Sequence, residues 1–174
     1  VLIAAGLVLA SVVVLRVLPK GPCNTIPDGL SPGGVWTTGI SVPTIRAETT
    51  ATTLNGKIYM AGGIQRGYGG VKAFEVFDPA TNIWEKRADM PEALHHVGLI
   101  AAAGRIYMIG GYDDIGKMVR AEPDIARNYV YEPATDQWNE IAPMPAPRAA
   151  LTVVNMSDKL YVVGGTGTGA QAVW

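Results

Sequence analysis

DPATNIW, residues 78–84, returns 54 positions later as EPATDQW, residues 132–138. In both copies an acidic residue and a proline begin the phrase, and a tryptophan ends it. Proline fixes φ, and Thr-Asn or Thr-Asp suits a turn, so each copy predicts a turn followed by a strand that carries the tryptophan. A phrase that is repeated at this distance indicates a repeat protein.

Other residues recur at fixed offsets from the tryptophans. A tyrosine follows each of three tryptophans by 23 residues, and a Gly-Gly pair begins three residues after each tyrosine. Successive copies are 48 and 54 residues apart, and the additional length falls in one place, between Gly111 and Trp138. A single insertion is typical of a loop in a repeat array. The recurring structural residues are Trp36, Trp84 and Trp138; Tyr59, Tyr107 and Tyr161; Gly62 and Gly63, Gly110 and Gly111, and Gly164 and Gly165.

Each unit contains four short stretches that are typical of strands. Asn55-Gly56, between the first two stretches of the first unit, is a strong signal for a hairpin. One four-stranded sheet of this size cannot bury both of its faces, whereas radially stacked copies bury each sheet against the next, with Trp and Tyr in the gaps. The sequence therefore predicts an all-β fold of four-stranded antiparallel blades, with strands in the first unit at residues 49–54, 57–63, 71–77 and 83–88.

The motifs IYMAGG, IYMIGG and LYVVGG, the acidic-Pro-x-x-x-x-Trp turn and the Met-Pro that follows it resemble the kelch repeat, whose period is about 50 residues. The resemblance covers residues 36–174 and implies a kelch β-propeller, a ring of about six or seven blades. The chain looks like the front part of a longer protein of the bacterial, membrane-anchored type. Its parts would be a lone fourth strand at 36–38, blades at 45–88 and 94–141, and a half blade at 148–174.

The chain opens with an apolar run, residues 1–18, in which Arg16 is the one charged residue. As a helix at ~1.5 Å per residue, this run would span roughly 27 Å, close to the ~30 Å hydrocarbon core of a membrane. We expect a transmembrane or signal-anchor helix over residues 1–19, with a cleaved signal peptide as the rival, and a Pro/Gly-rich linker over residues 20–35. The propeller is expected on the extracytoplasmic side, although Arg16 and Lys20 taken alone favour the opposite orientation.

Composition excludes several function classes. The net charge of −1 and the pI near 6.1 offer no broad cationic surface, so we expect no nucleic-acid partner. A single cysteine, Cys23, permits no internal disulfide. The sequence contains no nucleophile motif, phosphate-binding loop or Cys/His zinc spacing, so we expect no catalytic residue, no metal and no cofactor.

The kelch resemblance implies that ligands meet the loops joining strand 2 to strand 3 and strand 4 to the next blade. Two features of these loops have structural interpretations. Arg46 and Arg148 share a register in which the middle unit has Leu94, which favours arginines that brace a turn over an arginine ring. Adjacent residues on a strand point to opposite faces, so His95 and His96 are expected to be structural or surface residues and not a metal pair.

Asp113-Asp114 lacks the alternating oxygens of a calcium loop, so a solvated acidic loop is expected there. Taken together, the two kinds of loop supply one set of candidate ligand contacts. These candidate binding residues are Arg46, Glu48, Arg66, Tyr68, His95, His96, Asp113, Asp114 and Arg148.

Three function classes are compatible with the resemblance. The first is an anchored platform that binds a protein or a carbohydrate through its loops, and the second is an enzyme similar to kelch-type sugar epimerases or mutarotases, such as those acting on sialic acid. The third resembles galactose oxidase, whose copper site uses a tyrosine cross-linked to cysteine; Cys23 lies outside the blades and argues against it. Because no acid–base pair stands out, the sequence favours binding over catalysis.

Overall fold

The structure, a computed structural model, describes residues 11–15, 36–67, 69–113 and 125–167. By its internal contacts the chain divides into two units, Val1–Ile45 and Arg46–Trp174. The first unit contains a two-stranded antiparallel sheet formed by β1 (Ser11–Leu15) and β2 (Trp36–Ser41).

Strand β1 lies where the apolar run predicts a transmembrane or signal-anchor helix. Its sequence, Ser-Val-Val-Val-Leu, is rich in β-branched valine, which favours extended backbone, and β2 satisfies its hydrogen bonds. The helical prediction is therefore wrong for Ser11–Leu15, and the rest of 1–19 and the linker 20–35 lie outside the described residues. Within the described ranges, no helix is long and apolar enough to cross a membrane. Trp36, predicted in a lone fourth strand, is instead the first residue of β2 and pairs with Leu15.

The second unit contains the repeats. The first sheet has four antiparallel strands in the order of the chain, and a two-stranded ribbon lies between its second and third strands in sequence. The turn after the first strand has left-handed backbone at Asn55 and Gly56, as the favoured two-residue hairpin requires. The strands are β3 (Thr50–Leu54), β4 (Lys57–Ala61), β7 (Phe74–Asp78) and β8 (Ile83–Lys86), with the ribbon β5 (Ile64–Gln65) and β6 (Gly69–Gly70).

The second sheet repeats this order, and a hairpin follows it. The four-stranded antiparallel sheets predicted from the sequence are thus confirmed. The third strand of the first sheet begins three residues later than predicted, because Val71 forms an isolated bridge with Leu94. The second sheet consists of β9 (Gly98–Ala102), β10 (Arg105–Ile109), β11 (Asn128–Glu132) and β12 (Gln137–Ile141), and the hairpin of β13 (Ala149–Met156) and β14 (Lys159–Thr166).

An aromatic cluster fills the space between the two sheets. Phe74 of the first sheet has its ring centre 4.7 Å from Tyr131 and 4.9 Å from Trp138, both of the second sheet. Tyr59, buried in the same core, stacks on Phe74 at 5.7 Å. These separations are within the range in which aromatic pairs attract beyond their buried area. Trp138 and Tyr59 therefore occupy the gap between sheets, as the repeat predicts.

The second sheet packs against the β13–β14 hairpin through a smaller cluster. Ile109, Leu151 and Val153 are buried there, and Tyr107 is partly buried beside them. Tyr161, in contrast, is 42% exposed, so the third tyrosine fills no gap between sheets among the described residues. Trp84 contacts Phe77 of its own sheet at 5.2 Å.

The repeated phrase connects one repeat to the preceding one. Asp136 accepts a hydrogen bond from the Ala88 N–H (3.0 Å), and the indole N–H of Trp138 donates to the Ala88 carbonyl (3.1 Å). Asp136 also accepts from the Tyr131 hydroxyl at 2.6 Å. The Ala88 hydrogen bond, with Tyr131 second, holds the pKa of Asp136 below its usual range, and partial burial opposes this. Both backbone groups of Ala88 are thus satisfied by one turn of the next repeat.

The Gly-Gly pairs lie where the following repeat approaches most closely. A Cβ at Gly62 would lie 2.3 Å from the carbonyl oxygen of Leu94, and a Cβ at Gly110 would lie 2.3 Å from that of Arg148. Both glycines also have left-handed backbone. A side chain at either position would push the next segment away, which explains why glycine recurs there.

The Ala88 hydrogen bonds lead to a first prediction. Asp136→Ala should lower the free energy of unfolding by about 1–3 kcal/mol more than Asn82→Ala, measured by urea denaturation. Asn82 is the control because it has the same left-handed backbone in the first copy of the phrase, so its replacement removes only the local preference. Asp136→Asn, which keeps an acceptor, should lose less. Equal losses for Asp136→Ala and Asn82→Ala would contradict the proposed role of the Ala88 contact.

Candidate functional site

One residue with left-handed backbone occurs at the same register in each repeat. Glu48, His96 and Ala150 have φ of 53°, 52° and 53°, respectively. The three are hydrogen-bonded in series, because the His96 N–H donates to the Glu48 carbonyl (3.4 Å) and the Ala150 N–H donates to the His96 carbonyl (2.9 Å). The backbones at the starts of β3, β9 and β13 are therefore joined at one end of the sheets.

Glu48, His95 and His96 meet at this end. Their ligand-type atoms all lie within 4.8 Å of one another. Nδ1 of His95 is 2.7 Å from Nδ1 of His96, and each of these nitrogens is 3.4 Å from Oε2 of Glu48. His95 is buried, whereas His96 is half-buried and Glu48 is exposed, so the cluster opens to solvent on one side.

The two imidazoles converge because His96 leaves the strand conformation. The expectation that adjacent side chains diverge holds for extended backbone, and the positive φ of His96 rotates its side chain towards that of His95. Histidine is uncommon in this region of φ, although less so than β-branched residues. Sequence periodicity therefore carries no information on this convergence.

Tyr112 and Thr166 extend the site. Tyr112 and His95 exchange backbone hydrogen bonds, with N···O distances of 3.2 and 2.9 Å. The Tyr112 ring lies 5.3 Å from that of His95 and 5.4 Å from that of His96. Its hydroxyl is hydrogen-bonded to the hydroxyl of Thr166, the equivalent residue of the next repeat. An aromatic wall therefore borders the histidine pair, and neither residue was among the sequence candidates.

The two arginines that share a register, Arg46 and Arg148, each contact residues of their own repeat. The side chain of Arg46 is fully buried, forms an ion pair with the buried Glu75 and donates to the Met60 carbonyl (3.3 Å). Arg148 donates to the Gly164 carbonyl at 3.1 Å. Both arginines therefore contact their own repeat, and burial of Arg46 keeps its guanidinium away from a ligand.

The remaining candidates are distributed more widely. Arg66 is exposed in the turn of the β5–β6 ribbon, and Asp113 is half-buried next to Tyr112. Tyr68 and Asp114 lie outside the described residues. The structure thus brings together Glu48, His95 and His96 from the candidate set.

Glu92 fixes the segment that carries the histidines and was not predicted. Its carboxylate accepts two hydrogen bonds from Arg127, one from Nε at 2.6 Å and one from Nη2 at 2.7 Å. It also accepts one from the Tyr129 hydroxyl. The Arg127 contact chiefly holds the pKa of Glu92 below its usual range, with Tyr129 adding to the effect and burial opposing it. Burial and Glu92 raise the pKa of Tyr129 to about 12. These partners are 35 and 37 residues away, beyond any local motif.

The architecture defines the class of protein: stacked four-stranded blades with a polar cluster at the ends of the strands are part of a β-propeller. The Kelch motif family matches residues 45–91 and 93–145, more than half of the chain. The chain belongs to the kelch-repeat family.

Individual relatives agree with this assignment. The Kelch-like protein terF of Aspergillus terreus is 29% identical over 172 residues, covering 90% of this chain and 36% of that protein. Beta-scruin of Limulus polyphemus is 34% identical over 126 residues, covering 69% of this chain and 13% of that protein. The chain spans well under half the length of these relatives.

Among solved structures, that of YjhT is similar to this chain. The TM-score is 0.65, the sequence identity is 21%, and the match covers 75% of this chain and 48% of that one. At this level of identity the likeness establishes a shared fold alone.

Glu92 leads to a second prediction. A carboxylate whose folded pKa is depressed stabilises the protein above its unfolded pKa of about 4.3, and this contribution is lost as the pH falls through the folded pKa. Glu92→Gln should therefore lower the free energy of unfolding at pH 7 by about 1 kcal/mol, a value discounted for the exposure of Arg127. The difference from the unsubstituted protein should shrink as the pH falls below about 4 in urea titrations.

The control for this prediction is Glu140→Gln, at an exposed carboxylate on β12. It should change the stability little at either pH, since surface substitutions of this kind are usually within about 0.5 kcal/mol. A pH-independent loss in Glu92→Gln would mean that the charge of Glu92 is not what stabilises the segment.

Proposed function

We propose that this chain forms part of a kelch propeller that binds a partner protein through the end of the sheets where Glu48, His95, His96 and Tyr112 converge. The observation that carries the proposal is this convergence of polar and aromatic side chains from adjacent repeats, on a face that opens to solvent. Aromatic side chains at the centre of a surface, with polar residues around them, are typical of binding sites.

The charged residues fall into two groups, those held in ion pairs within the scaffold and those at the end of the sheets, and this separation supports the proposal. The ion pair of Arg46 and Glu75 is buried within the first repeat, and Arg127 and Glu92 fix a linking segment, so these charges maintain the scaffold. Arg66 is exposed in the turn of the β5–β6 ribbon and Asp113 is half-buried beside Tyr112, so both carry charge at the end of the sheets where the cluster lies. Family membership adds weight, because propeller loops on a rigid scaffold commonly carry recognition.

The binding proposal leads to a third prediction. With the whole protein as bait, the recovery of partners identified by crosslinking in its native host should fall at least about tenfold with Arg66→Ala combined with Asp113→Asn, because two charged contacts at this end of the sheets are lost together. Asp158→Ala, in the β13–β14 turn at the opposite end of the strands, is the matched control and should retain them. Retention of every partner by the loop-end variant would refute the proposal.

The sugar-epimerase alternative uses the same end of the sheets. An imidazole pair beside a carboxylate supplies groups suited to general acid–base chemistry, and this favours the alternative over other enzymes. The same proteins can be incubated with N-acetylneuraminate and anomeric interconversion followed by NMR. Acceleration that His96→Ala abolishes would replace the binding proposal, and a carbohydrate array would reveal a glycan ligand in place of a protein.

Membrane attachment, with the propeller on the extracytoplasmic side, is a separate proposal that rests on the apolar composition of residues 1–18. The strand at Ser11–Leu15 does not support a continuous helix there. The expected outcome is that the protein stays in the membrane fraction after alkaline carbonate extraction, whereas a variant without residues 1–35 is released. Release of both proteins would exclude an anchor in this segment.

A further inference from the structure

We propose that Glu48, His95 and His96 bind one zinc ion. The proposal goes beyond the partner-binding function and stands independently of it. Two imidazoles and a carboxylate are a donor set that proteins use for zinc, with a fourth position left for water or another ligand. In this cluster all three donors come from segments that enter neighbouring strands, and their ligand atoms lie within 4.8 Å of one another.

Two of the three distances between ligand atoms fit a tetrahedral ion. Bonds of about 2.0–2.1 Å in tetrahedral geometry place ligand atoms about 3.3 Å apart. The two nitrogen-to-oxygen distances, from Nδ1 of His95 and of His96 to Oε2 of Glu48, are both 3.4 Å. The two nitrogens are 2.7 Å apart, as a hydrogen bond between the rings requires, and would separate by about 0.6 Å around an ion. A small rotation of the half-buried His96 provides this movement.

The backbone prearranges the donors. Glu48 and His96 occupy the same register in adjacent repeats, both have left-handed backbone, and the His96 N–H is hydrogen-bonded to the Glu48 carbonyl. His95 is held by its backbone pairing with Tyr112. Because these constraints belong to the fold, the ordering cost of bringing three side chains together is largely met before an ion arrives.

Zinc is favoured over other cations by the donor types. Calcium and magnesium prefer six or more oxygen ligands, whereas the cluster supplies two nitrogens and one carboxylate. Among the described residues the cluster supplies no thiolate, which disfavours ions that prefer sulfur ligands. Access is provided by Glu48, whose side chain is 45% exposed. The exposed side of the cluster would let water or another ligand take the fourth position.

The chain is well suited to a direct test because it contains two histidines and one cysteine in all. The protein, purified without a histidine tag and treated with a chelator, is titrated with zinc by calorimetry. Cobalt is used in parallel, because tetrahedral coordination gives it intense visible absorption. We expect one equivalent of zinc to bind and to raise Tm, since an ion that binds only the folded state stabilises it.

Two variants remove donors and two serve as controls. His96→Ala and Glu48→Gln should each weaken zinc binding at least about tenfold, because one of three protein ligands is lost. Glu48→Gln alters an exposed side chain and should leave the fold intact, as checked by circular dichroism, so it provides a test even if His96→Ala fails to fold. Cys23→Ser, which removes the one thiol of the chain, and Glu140→Gln, which alters an exposed carboxylate on β12, should bind zinc as the unsubstituted protein does.

Three results would overturn the proposal. They are the absence of stoichiometric zinc binding by the unsubstituted protein, unchanged affinity in Glu48→Gln, and loss of the bound ion in Cys23→Ser.

Discussion

The backbone of Ala88 is the point on which the packing of the repeats depends. A four-stranded sheet of this kind has two faces that must be buried. A second sheet can bury one of them only when the separation and register of the two sheets are fixed. Asp136 and Trp138 fix both, because they bond to the N–H and the carbonyl of a single residue of the preceding repeat. The indole that makes one of these bonds also packs on Phe74, so hydrogen bonding and apolar burial position the same side chain.

The chemistry at the end of the sheets where Glu48, His95 and His96 meet follows from the same repetition. Each repeat places a left-handed residue within two positions of the start of its first strand, and these residues are hydrogen-bonded from one repeat to the next. The backbone at these positions is therefore determined by the fold, while the side chain is free to differ. Here the three are glutamate, histidine and alanine. A site with acid–base and ligating groups thus arises between two repeats without any change in the scaffold.

The sequence predicted the elements whose cause is periodic. Tryptophan, tyrosine and Gly-Gly recur in step, because Tyr59 and Trp138 fill the gap between sheets and the glycines lie where backbones approach closely, and this repetition predicts the two four-stranded sheets. The sequence did not predict features that depend on single backbone angles or on partners that are distant along the chain. His96 turns its ring towards His95 through one φ value, and Arg46 is buried because Glu75 lies opposite it. Composition also misled at Ser11–Leu15, since an apolar run rich in valine suits a strand as well as a helix.

The contrast between Glu75 and Glu48 indicates how such a scaffold separates stability from recognition. Glu75 is buried and forms an ion pair with the buried Arg46, and breaking such a pair is strongly destabilising, so that position has little freedom to vary. Glu48 is exposed at a position whose backbone is already held by its neighbours, so exchanging it alters the ligands offered and little else. Residues at the left-handed positions can therefore define what a kelch propeller binds, because the energetic cost of their arrangement is carried by hydrogen bonds between backbones.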